Sequence, residues 1–224
     1  MQRSIKTTSD GSKTLFINEL NENYHSHHGA LQEARHVFID NGLNLLNICE
    51  INILELGFGT GLNLLVTIDE FLKNDKNHVI HYFTVEKYPV SESEAAELDY
   101  GALFPNPKIS EIFKQIHFAK WNQTVELHPN FFFTKFQTDF FDIEQLSLPP
   151  INLVYYDCFG ARVQPDLWET PLFKIVTEKM AKYGLLTTYS SKGSVRRALM
   201  ELNLEVEKKA GPPGKREMLN AVKK

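Results

Sequence analysis

The amino-acid sequence predicts an α/β fold, in which a doubly wound and mostly parallel sheet carries helices on both faces. Short β-branched or aromatic runs alternate with longer amphipathic segments through the middle of the chain, which is the pattern of such a sheet. A glycine-rich loop follows the first of these runs. The 224 residues, 42% of them hydrophobic, are enough for one main core.

Composition and periodicity place the individual elements in order. Five apolar runs predict the core strands Ile51–Leu56, Val79–Val85, Phe131–Phe136, Ile151–Tyr156 and Leu185–Tyr189. Four amphipathic stretches predict the helices Leu62–Lys73, Ser91–Leu98, Leu167–Tyr183 and Val195–Leu202. Two last strands, Leu204–Lys208 and Met218–Val222, flank a Gly-Pro-Pro-Gly turn at residues 211–214.

Some fifty residues ahead of the first core strand do not fit this alternation. Asp10-Gly11 lies between two β-prone runs and predicts a hairpin with a two-residue turn, and Ala30–Asn41 predicts a helix. A segment of this length is too short to bury a core alone. We therefore expect residues 1–50 to form a dependent cap over a single domain of residues 51–224.

Bulk properties exclude a membrane or secreted class. Met1–Lys13 is polar, and no run approaches the roughly 18 apolar residues of a membrane span. The two cysteines, Cys49 and Cys158, are too few for a disulfide framework and are expected to be reduced thiols. These features predict a cytoplasmic protein.

Charge is distributed unevenly along the chain. Residues 1–173 carry 12 Lys and Arg against 23 Asp and Glu, whereas residues 174–224 carry 12 against 5. The last quarter therefore has a net charge of +7 within a chain of net charge −4. Clustered cations favour a phosphate-bearing partner such as a nucleic acid, although solvated surface lysines would give the same count.

The glycine loop indicates the cofactor. The loop has three glycines, Gly57, Gly59 and Gly61, and Glu55 lies two residues before the first of them. Leu62 stands where a dinucleotide-binding motif needs its third glycine. Glycines let the backbone approach a ligand closely, and the following helix offers free N–H groups. The spacing is typical of S-adenosylmethionine sites, which identifies the expected fold as the Rossmann-like fold of class I methyltransferases.

Two carboxylates and an aromatic residue at strand ends complete the expected cofactor site. Glu86 ends the second core strand, where it could accept both ribose hydroxyls, or could simply be an exposed strand-end residue. Asp139 follows the third core strand and could accept the adenine amino group, or could cap the next helix. Phe140 could then pack on the adenine ring.

Asp157 ends the fourth core strand and is the predicted catalytic residue, in contact with both the cofactor and the methyl acceptor. A carboxylate there can orient an amine and stabilise the ammonium that methyl transfer produces. A helix cap or turn cap is the alternative. A metal site built from His25, His27, His28 and Cys49 is disfavoured, because no second ligand pair follows at a suitable spacing.

With these residues laid out, the sequence resembles the methyltransferase-domain family of MnmC, including its standalone MnmD-like members. The likeness covers nearly the whole chain. It rests on the N-terminal stretch and glycine loop, and on residues 86–89, 157–159, 165–168, 193–197 and 214–219. An antiparallel C-terminal hairpin that closes the sheet is likewise expected of class I methyltransferases.

The resemblance implies methyl transfer from S-adenosylmethionine to the exocyclic amine of 5-aminomethyl-2-thiouridine at the tRNA wobble position. It adds to the cofactor site Thr60, Asn63, Lys87, Tyr24, Ser26 and Glu33. It assigns to tRNA binding Phe159, Trp168, Lys192, Arg196, Arg197, Lys215 and Arg216. No FAD-dependent oxidase activity, no bound metal and no membrane association are expected.

Two other functions remain compatible with the glycine loop. A polyamine-type amine methyltransferase or aminopropyltransferase shares this loop and the strand-four aspartate, but the basic last quarter disfavours a polycationic substrate. A non-catalytic S-adenosylmethionine-binding protein could keep the fold without the chemistry. The joint presence of Glu55, Glu86 and Asp157 favours an enzyme.

Overall fold

A mixed sheet forms the centre of the computed structural model, which describes residues 3–25, 29–73 and 78–224. Within those residues the strands are β1 (Arg3–Thr7), β2 (Lys13–Ile17), β3 (Glu22–Asn23), β4 (Glu50–Leu56), β5 (Val79–Val85), β6 (Thr124–His128), β7 (Phe131–Phe136), β8 (Ile151–Tyr156), β9 (Met180–Thr188), β10 (Leu204–Ala210) and β11 (Glu217–Lys223). The α-helices are α1 (Ala30–Ala34), α2 (Leu62–Lys73), α3 (Glu92–Leu98), α4 (Lys108–Phe118), α5 (Thr170–Lys179) and α6 (Gly193–Glu201).

The main sheet has eight strands in the order β10, β11, β9, β8, β4, β5, β7, β6. The five strands from β9 to β7 run parallel, with β4 at their centre. At one edge β11 pairs antiparallel with both β9 and β10, and at the other β6 pairs antiparallel with β7. The predicted doubly wound sheet and its antiparallel C-terminal finish are therefore confirmed.

Apolar side chains form a core on each face of the sheet. Alternate residues of β8 show why: Leu153 and Tyr155 contribute to one buried cluster, whereas Val154 and Tyr156 contribute to the other. The first cluster is completed by the N-terminal helical segment and by α2 and α4, the second by α5 and α6. Both faces of the parallel strands are thus buried, which explains their nearly continuous apolar sequences.

Most predicted elements agree with the observed ones to within two residues, but the predicted helix Leu167–Tyr183 is wrong. A short 3₁₀ turn spans Pro165–Trp168, the helix α5 ends at Lys179, and β9 already begins at Met180. Gly184 is no helix cap, because it lies in an irregular stretch where the pairing shifts between Ile151 and Leu153 of β8. Close approach explains the glycine, since a Cβ there would lie 2.8 Å from the Ile151 carbonyl oxygen.

Three elements between residues 99 and 130 escaped the sequence analysis: a 3₁₀ turn at Tyr100–Leu103, the helix α4 and the strand β6. The helix α4 buries Ile109, Ile112, Phe113 and Ile116, which have the spacing of an amphipathic helix. The strand β6 is a short edge strand of mostly polar residues, and its pairing with β7 carries a register shift between Glu126 and His128. Local sequence therefore contained the signal for α4 but only a weak one for β6.

The N-terminal segment forms a small three-stranded antiparallel sheet followed by a helical stretch. The predicted hairpin is present, but five residues, not two, separate Thr7 from Lys13, because Thr8 and Ser12 close a wider loop around Asp10. The predicted helix from Ala30 continues beyond α1 as a π-helical turn, Arg35–Asp40. Across the described residues, no helix is long and apolar enough to cross a membrane.

Candidate active site

A cavity of about 740 Å³ opens at the carboxyl ends of the parallel strands. The loops that follow β4, β5, β7 and β8 line it, together with residues of the N-terminal segment and of the turn between β10 and β11. Thirteen of the sequence-predicted site residues line this cavity: Tyr24, Glu33, Gly57, Gly59, Thr60, Asn63, Glu86, Lys87, Asp139, Phe140, Asp157, Phe159 and Lys215. Open α/β sheets bind their ligands at this edge.

Other predicted residues lie elsewhere. Glu55, Gly61 and Trp168 do not line the cavity, nor do the four basic residues Lys192, Arg196, Arg197 and Arg216. Ser26, predicted to bind the cofactor, lies outside the described residues, as do His27 and His28 of the disfavoured metal site. Among the residues that the structure describes, no group of three His, Cys, Asp or Glu side chains could hold a metal ion.

The glycine loop passes close to groups on both of its sides. Gly57 and Gly59 have φ values of +95° and +49°, in the left-handed region that residues with side chains rarely adopt. A Cβ on Gly57 would lie 3.0 Å from the Asp157 carbonyl oxygen, and one on Gly59 would lie 3.1 Å from the ring of Tyr24. The loop therefore needs glycine for space as well as for torsion.

Two half-buried histidines hold Thr60, the next residue of the loop. The Nε2 atom of His25 lies 2.8 Å from the Thr60 hydroxyl, and that of His117 lies 3.2 Å from the Thr60 carbonyl oxygen. Burial lowers the pKa of each histidine to about 4, so both are neutral near pH 7. His25, considered above as a metal ligand, thus fixes the glycine loop.

Glu86 fixes the same loop from the end of β5. Its Oε2 atom accepts a hydrogen bond from the Gly59 amide at 3.0 Å, and its Oε1 atom accepts one from the Tyr88 amide at 2.7 Å. An ionised carboxylate can accept about four hydrogen bonds, so each oxygen retains a free lone pair. Since Glu86 lines the cavity, these lone pairs are available to two neighbouring hydroxyl groups of a ligand.

Lys87 and Asp139 form an ion pair across the neighbouring loops at 2.6 Å. The Oδ1 atom of Asp139 also accepts from the Phe141 amide at 3.0 Å, so this residue caps the 3₁₀ helix Phe140–Gln145 as the alternative reading proposed. Burial opposes ionisation, but hydrogen bonds from Lys87 and Phe141 lower the pKa of Asp139 below its usual range. Capping and a position in the cavity wall are therefore compatible.

Asp157 lies at the end of β8 with its carboxylate in the cavity. The Asn63 side-chain amide of α2 donates a hydrogen bond to its Oδ2 atom at 2.8 Å. Burial raises the pKa of Asp157 to about 7, while Asn63 lowers it, Glu33 raises it and Lys215 lowers it. The carboxyl group can therefore gain or lose a proton near neutral pH.

Glu55 is completely buried behind the glycine loop. Burial raises its pKa to about 8, although Thr84 lowers it, and the nearby charge of Asp157 raises it further. Neither carboxylate oxygen meets hydrogen-bond geometry with any described residue, and the same holds for the buried Oδ1 atom of Asn63. Buried polar atoms normally have partners, and the side chains of Thr84, Asn63 and Tyr82 are the polar groups near enough to lower the pKa of Glu55.

Aromatic residues form the side of the cavity next to Asp157. The rings of Tyr24 and Phe159 meet edge to face with 5.0 Å between their centroids. The Trp168 indole donates a 2.7 Å hydrogen bond to the Phe159 carbonyl oxygen, and the Tyr189 hydroxyl donates one of the same length to that of Cys158. Trp168 does not line the cavity itself, but its hydrogen bond anchors the Phe159 loop that does.

Lys215 and Glu33 form an ion pair between the two ends of the chain, and both line the cavity. The Lys215 ammonium also lies 3.9 Å from the centroid of the Tyr189 ring. Lys192, Arg196, Arg197 and Arg216, by contrast, are exposed, and none forms an ion pair with a residue that the structure describes. The predicted basic residues therefore divide into one cavity residue and four surface residues.

Sequence reasoning missed several lining residues, among them Tyr189, which contacts Lys215, Trp168 and the Cys158 carbonyl oxygen. It stands just past the carboxyl end of β9, and residues in that position of a parallel strand face the ligand edge of the sheet. That rule could have identified Tyr189. Nothing in the local sequence marks Phe38, which reaches the cavity from the π-helical turn of the N-terminal segment.

Comparison with known proteins yields a family and several relatives. The family model described as S-adenosyl-L-methionine-dependent methyltransferase matches residues 107–224. The bifunctional tRNA 5-methylaminomethyl-2-thiouridine biosynthesis protein MnmC of Leptospira borgpetersenii serovar Hardjo-bovis is 32% identical over 214 residues, which are 88% of this chain and 31% of that protein. The MnmC protein of Paracidovorax citrulli is 28% identical over 232 residues, which are 99% of this chain and 35% of that protein.

This chain therefore spans about a third of the length of the curated relatives that it matches. Among solved structures, that of MNMC2 from Aquifex aeolicus superposes with a TM-score of 0.81 and 24% identity. The superposition covers 98% of this chain and 70% of that one. At this level of identity the match demonstrates a shared fold, and the fold is the one predicted from the sequence.

Proposed function

Because this chain belongs to the S-adenosyl-L-methionine-dependent methyltransferase family, we propose that it methylates the exocyclic amine of 5-aminomethyl-2-thiouridine at the wobble position of tRNA, giving 5-methylaminomethyl-2-thiouridine. The expected kinship with the methyltransferase domain of MnmC is confirmed by relatives that match 88–99% of the chain. The observation that carries the proposal is the placement of Asp157 beside the glycine loop in one cavity.

The residues of the cavity fit the cofactor. Two lone pairs of Glu86 suit the ribose hydroxyls, and Asp139 and Phe140, which line the same cavity, are the residues that we propose for the adenine. Gly57 and Gly59 let the loop lie against the Asp157 carbonyl oxygen and the Tyr24 ring, contacts that a Cβ would crowd. S-Adenosyl-L-methionine supplies an electrophilic methyl group on a sulfonium.

Asp157 is the proposed catalytic residue for the acceptor amine. An alkylammonium has a reference pKa near ~10.4, and it must lose a proton before its nitrogen can accept the methyl group. That proton goes to solvent. Asp157, ionised above its pKa of about 7, accepts a hydrogen bond from the neutral amine and stabilises by its charge the methylated ammonium that transfer produces. Asn63 keeps the carboxylate oriented through its hydrogen bond to Oδ2.

The surface cations support tRNA as the substrate. Lys192, Arg196 and Arg197 lie together at the start of α6, exposed and without ion-pair partners among the described residues. Such cations are free to contact phosphates and would give salt-dependent binding. The relatives are named for the biosynthesis of this nucleoside in tRNA, which is the reason for choosing the wobble amine as acceptor.

The direct test supplies the purified protein with S-adenosyl-L-methionine and tRNA that carries 5-aminomethyl-2-thiouridine. Mass spectrometry of the digested nucleosides should show conversion to a product one methylene heavier. Unmodified transcript of the same tRNA is the control and should remain unchanged. Absence of conversion, with cofactor binding intact by calorimetry, would show that another amine is the acceptor.

A second test asks whether the α6 cations bind tRNA. The variant R196E/R197E should lose most of its tRNA affinity and retain its cofactor affinity, and affinity of the wild type should fall steeply with salt. The variant K174E/K182E changes the same net charge at two exposed lysines of the same basic quarter and is the matched control. Equal losses in both variants would show that only the overall charge matters.

A further inference from the structure

The loop of residues 157–167 follows β8, and most of its residues line the cavity. A hydrogen bond fixes its backbone, since the Gly160 carbonyl oxygen accepts from the Gln164 amide at 3.1 Å. An ion pair between Arg162 and Glu22 ties the same loop to β3 of the N-terminal segment. The loop therefore holds its side chains at defined places in the cavity wall.

The side chain of Gln164 offers both a hydrogen-bond donor and an acceptor to the cavity. Gln164 is half-buried and lines the cavity, and its carboxamide forms no hydrogen bond with any described residue. The two carboxylates of the loop differ from it, because Asp157 accepts from Asn63 and Asp166 is exposed. Gln164 thus presents a neutral N–H donor and an oxygen acceptor side by side to a ligand in the cavity.

The proposed acceptor base has an edge that matches a carboxamide. In 5-aminomethyl-2-thiouridine the aminomethyl group is on C5, the next ring carbon bears the 4-oxygen, and the ring atom after that is the N3–H donor. A carboxamide pairs with these two groups at once, since its NH2 group donates to the 4-oxygen and its oxygen accepts from N3–H. With the aminomethyl group at Asp157, this edge of the ring lies beside it, so its partner must come from the adjoining wall of the cavity.

We propose that Gln164 recognises the uracil ring of the acceptor by pairing with its 4-oxygen and N3–H, while Asp157 holds the amine. The inference rests on the proposed function and adds a specificity-determining residue to the same reaction. Both side chains belong to one loop, so a single wall of the cavity binds the ring edge and the aminomethyl group. Orientation of the ring then aims the amine at the methyl donor.

The aromatic side chains of the cavity suit the same ligand. Tyr24 and Phe159 both line the cavity, and their rings meet edge to face. Proteins bind unpaired RNA bases by stacking on aromatic rings and by hydrogen bonds to the base edges, so these rings and Gln164 supply both kinds of contact. A cationic polyamine has no acceptor for the NH2 group of Gln164. The carboxamide therefore favours a nucleobase over a polyamine.

The test changes both partners of the proposed contact. Two tRNAs, assembled from synthetic fragments, carry 5-aminomethyl-2-thiouridine at the wobble position, and the second also carries a methyl group on N3. That methyl group removes the N–H donor and blocks the ring edge, but it leaves the aminomethyl group unchanged. The methylation kcat/KM is measured for both tRNAs with the wild type and with Gln164→Ala.

The two changes should not be additive. In the wild type, N3 methylation should lower kcat/KM by about tenfold or more, which is the size expected for a bidentate contact between a side chain and a base. Gln164→Ala should lower kcat/KM for the first tRNA by a similar factor of about ten. In this variant N3 methylation should cost at most about threefold, because alanine leaves room for the methyl group and the contact is already lost.

Three measurements control the design. Gln164→Met keeps the length of the side chain without its polar atoms, so it should lose as much kcat/KM as the alanine variant. Gln115→Ala removes the same side chain from an exposed position on α4 outside the cavity, and should behave as the wild type with both tRNAs. Affinity for S-adenosylhomocysteine by calorimetry should stay within about twofold in all variants, which shows that they are folded.

Three outcomes would overturn the proposal. An equal cost of N3 methylation in the wild type and in Gln164→Ala would show that the methyl group meets another part of the cavity. No cost in the wild type would show that this ring edge faces solvent, and full activity of Gln164→Met would show that only the shape of the side chain matters. If the wild type methylates neither tRNA, the proposed acceptor itself is wrong, and the inference fails with it.

Discussion

The two ends of the cavity, the proposed cofactor end at the glycine loop and the proposed acceptor end at Asp157, are built in different ways. At the cofactor end, the glycine loop is held by Glu86 of the adjacent strand β5 through a backbone amide, and the next loop adds the pair of Lys87 and Asp139. At the acceptor end, Asn63 of α2 donates a hydrogen bond to Asp157, and the charges of Glu33 of α1 and Lys215 of the turn before β11 act on its pKa. The cofactor end thus follows from neighbouring strands, whereas the acceptor end requires distant parts of the chain to meet.

This difference determines which property of the protein a mutation at each end can change. Neighbouring strand ends make a site whose geometry is fixed by the sheet, and the same geometry serves any class I methyltransferase. Contacts between distant segments depend on side chains that can vary without disturbing the sheet. We therefore expect substitutions at the cofactor end to change cofactor affinity, and substitutions at Asp157 to change turnover.

The largest effect is expected for Asp157→Asn. The amide keeps the shape of the side chain but loses the charge that stabilises the ammonium, so single-turnover methylation should slow by about 100-fold or more. Cofactor affinity should stay within about threefold. The wild-type rate should rise with pH through about 7 as the carboxyl ionises, and the variant should lack this inflexion. A variant that methylates at nearly the wild-type rate would show that other groups orient the amine.

A smaller effect is expected for Glu86→Ala, this time on binding. Removal of the carboxylate takes away the proposed partner of the ribose hydroxyls and the hydrogen bond to the Gly59 amide, so cofactor affinity should fall by about tenfold or more. Affinity for tRNA should not change. Calorimetry with S-adenosylhomocysteine measures the first and a gel-shift titration the second. Unchanged calorimetric affinity would remove Glu86 from the ribose site and weaken the contrast between the two ends.

The smallest effect concerns Glu55, which lies beneath both ends. Its native pKa of about 8 exceeds the ordinary value of 4.5, so the native state holds a proton that the unfolded state releases between these values. The free energy of unfolding of the wild type should therefore fall as pH rises through this window, by at most roughly 1.4 kcal/mol per pH unit from this group. Glu55→Gln cannot lose that proton. Urea titrations at pH 6 and pH 7 should show a smaller fall for the variant, and equal falls would mean that Glu55 is already ionised at pH 6.

The sequence predicted the cofactor end more completely than the acceptor end, and for a physical reason. The glycine spacing and the strand-end position of Glu86 are local features, and the parallel sheet brings such features to one edge. The pairing of Glu33 with Lys215 and the approach of Tyr189 depend on tertiary contacts that have no local signal. The sequence therefore placed Lys215 with the other basic residues, although it lies in the cavity.

The fold was predicted in the same uneven way. The strands β4, β5, β7 and β8 of the parallel core have long apolar runs and were found with nearly correct limits, and the capping box of Ser91 and Glu94 correctly marked the start of α3. Gly184 followed a helical pattern and was interpreted as a helix end, whereas it serves a close contact inside β9. A glycine alone does not distinguish these two roles. The boundary between cap and domain near residue 50 stays a prediction.

The contacts between the helical N-terminal segment and the last hairpin have a consequence for the order of folding. The Nε2 atom of His36 lies 2.8 Å from the Ala210 carbonyl oxygen, 174 residues away in the sequence. The side-chain amide of Asn220 donates a 2.8 Å hydrogen bond to the Asn41 carbonyl oxygen, 179 residues away. Such contacts carry a large loop-closure entropy unless the sheet between them has already formed. On the ribosome, the parallel strands can assemble while the last hairpin is still being made. The cavity should therefore close only after β10 and β11 have been made and have paired with the sheet, and newly made protein would acquire its ligand only then.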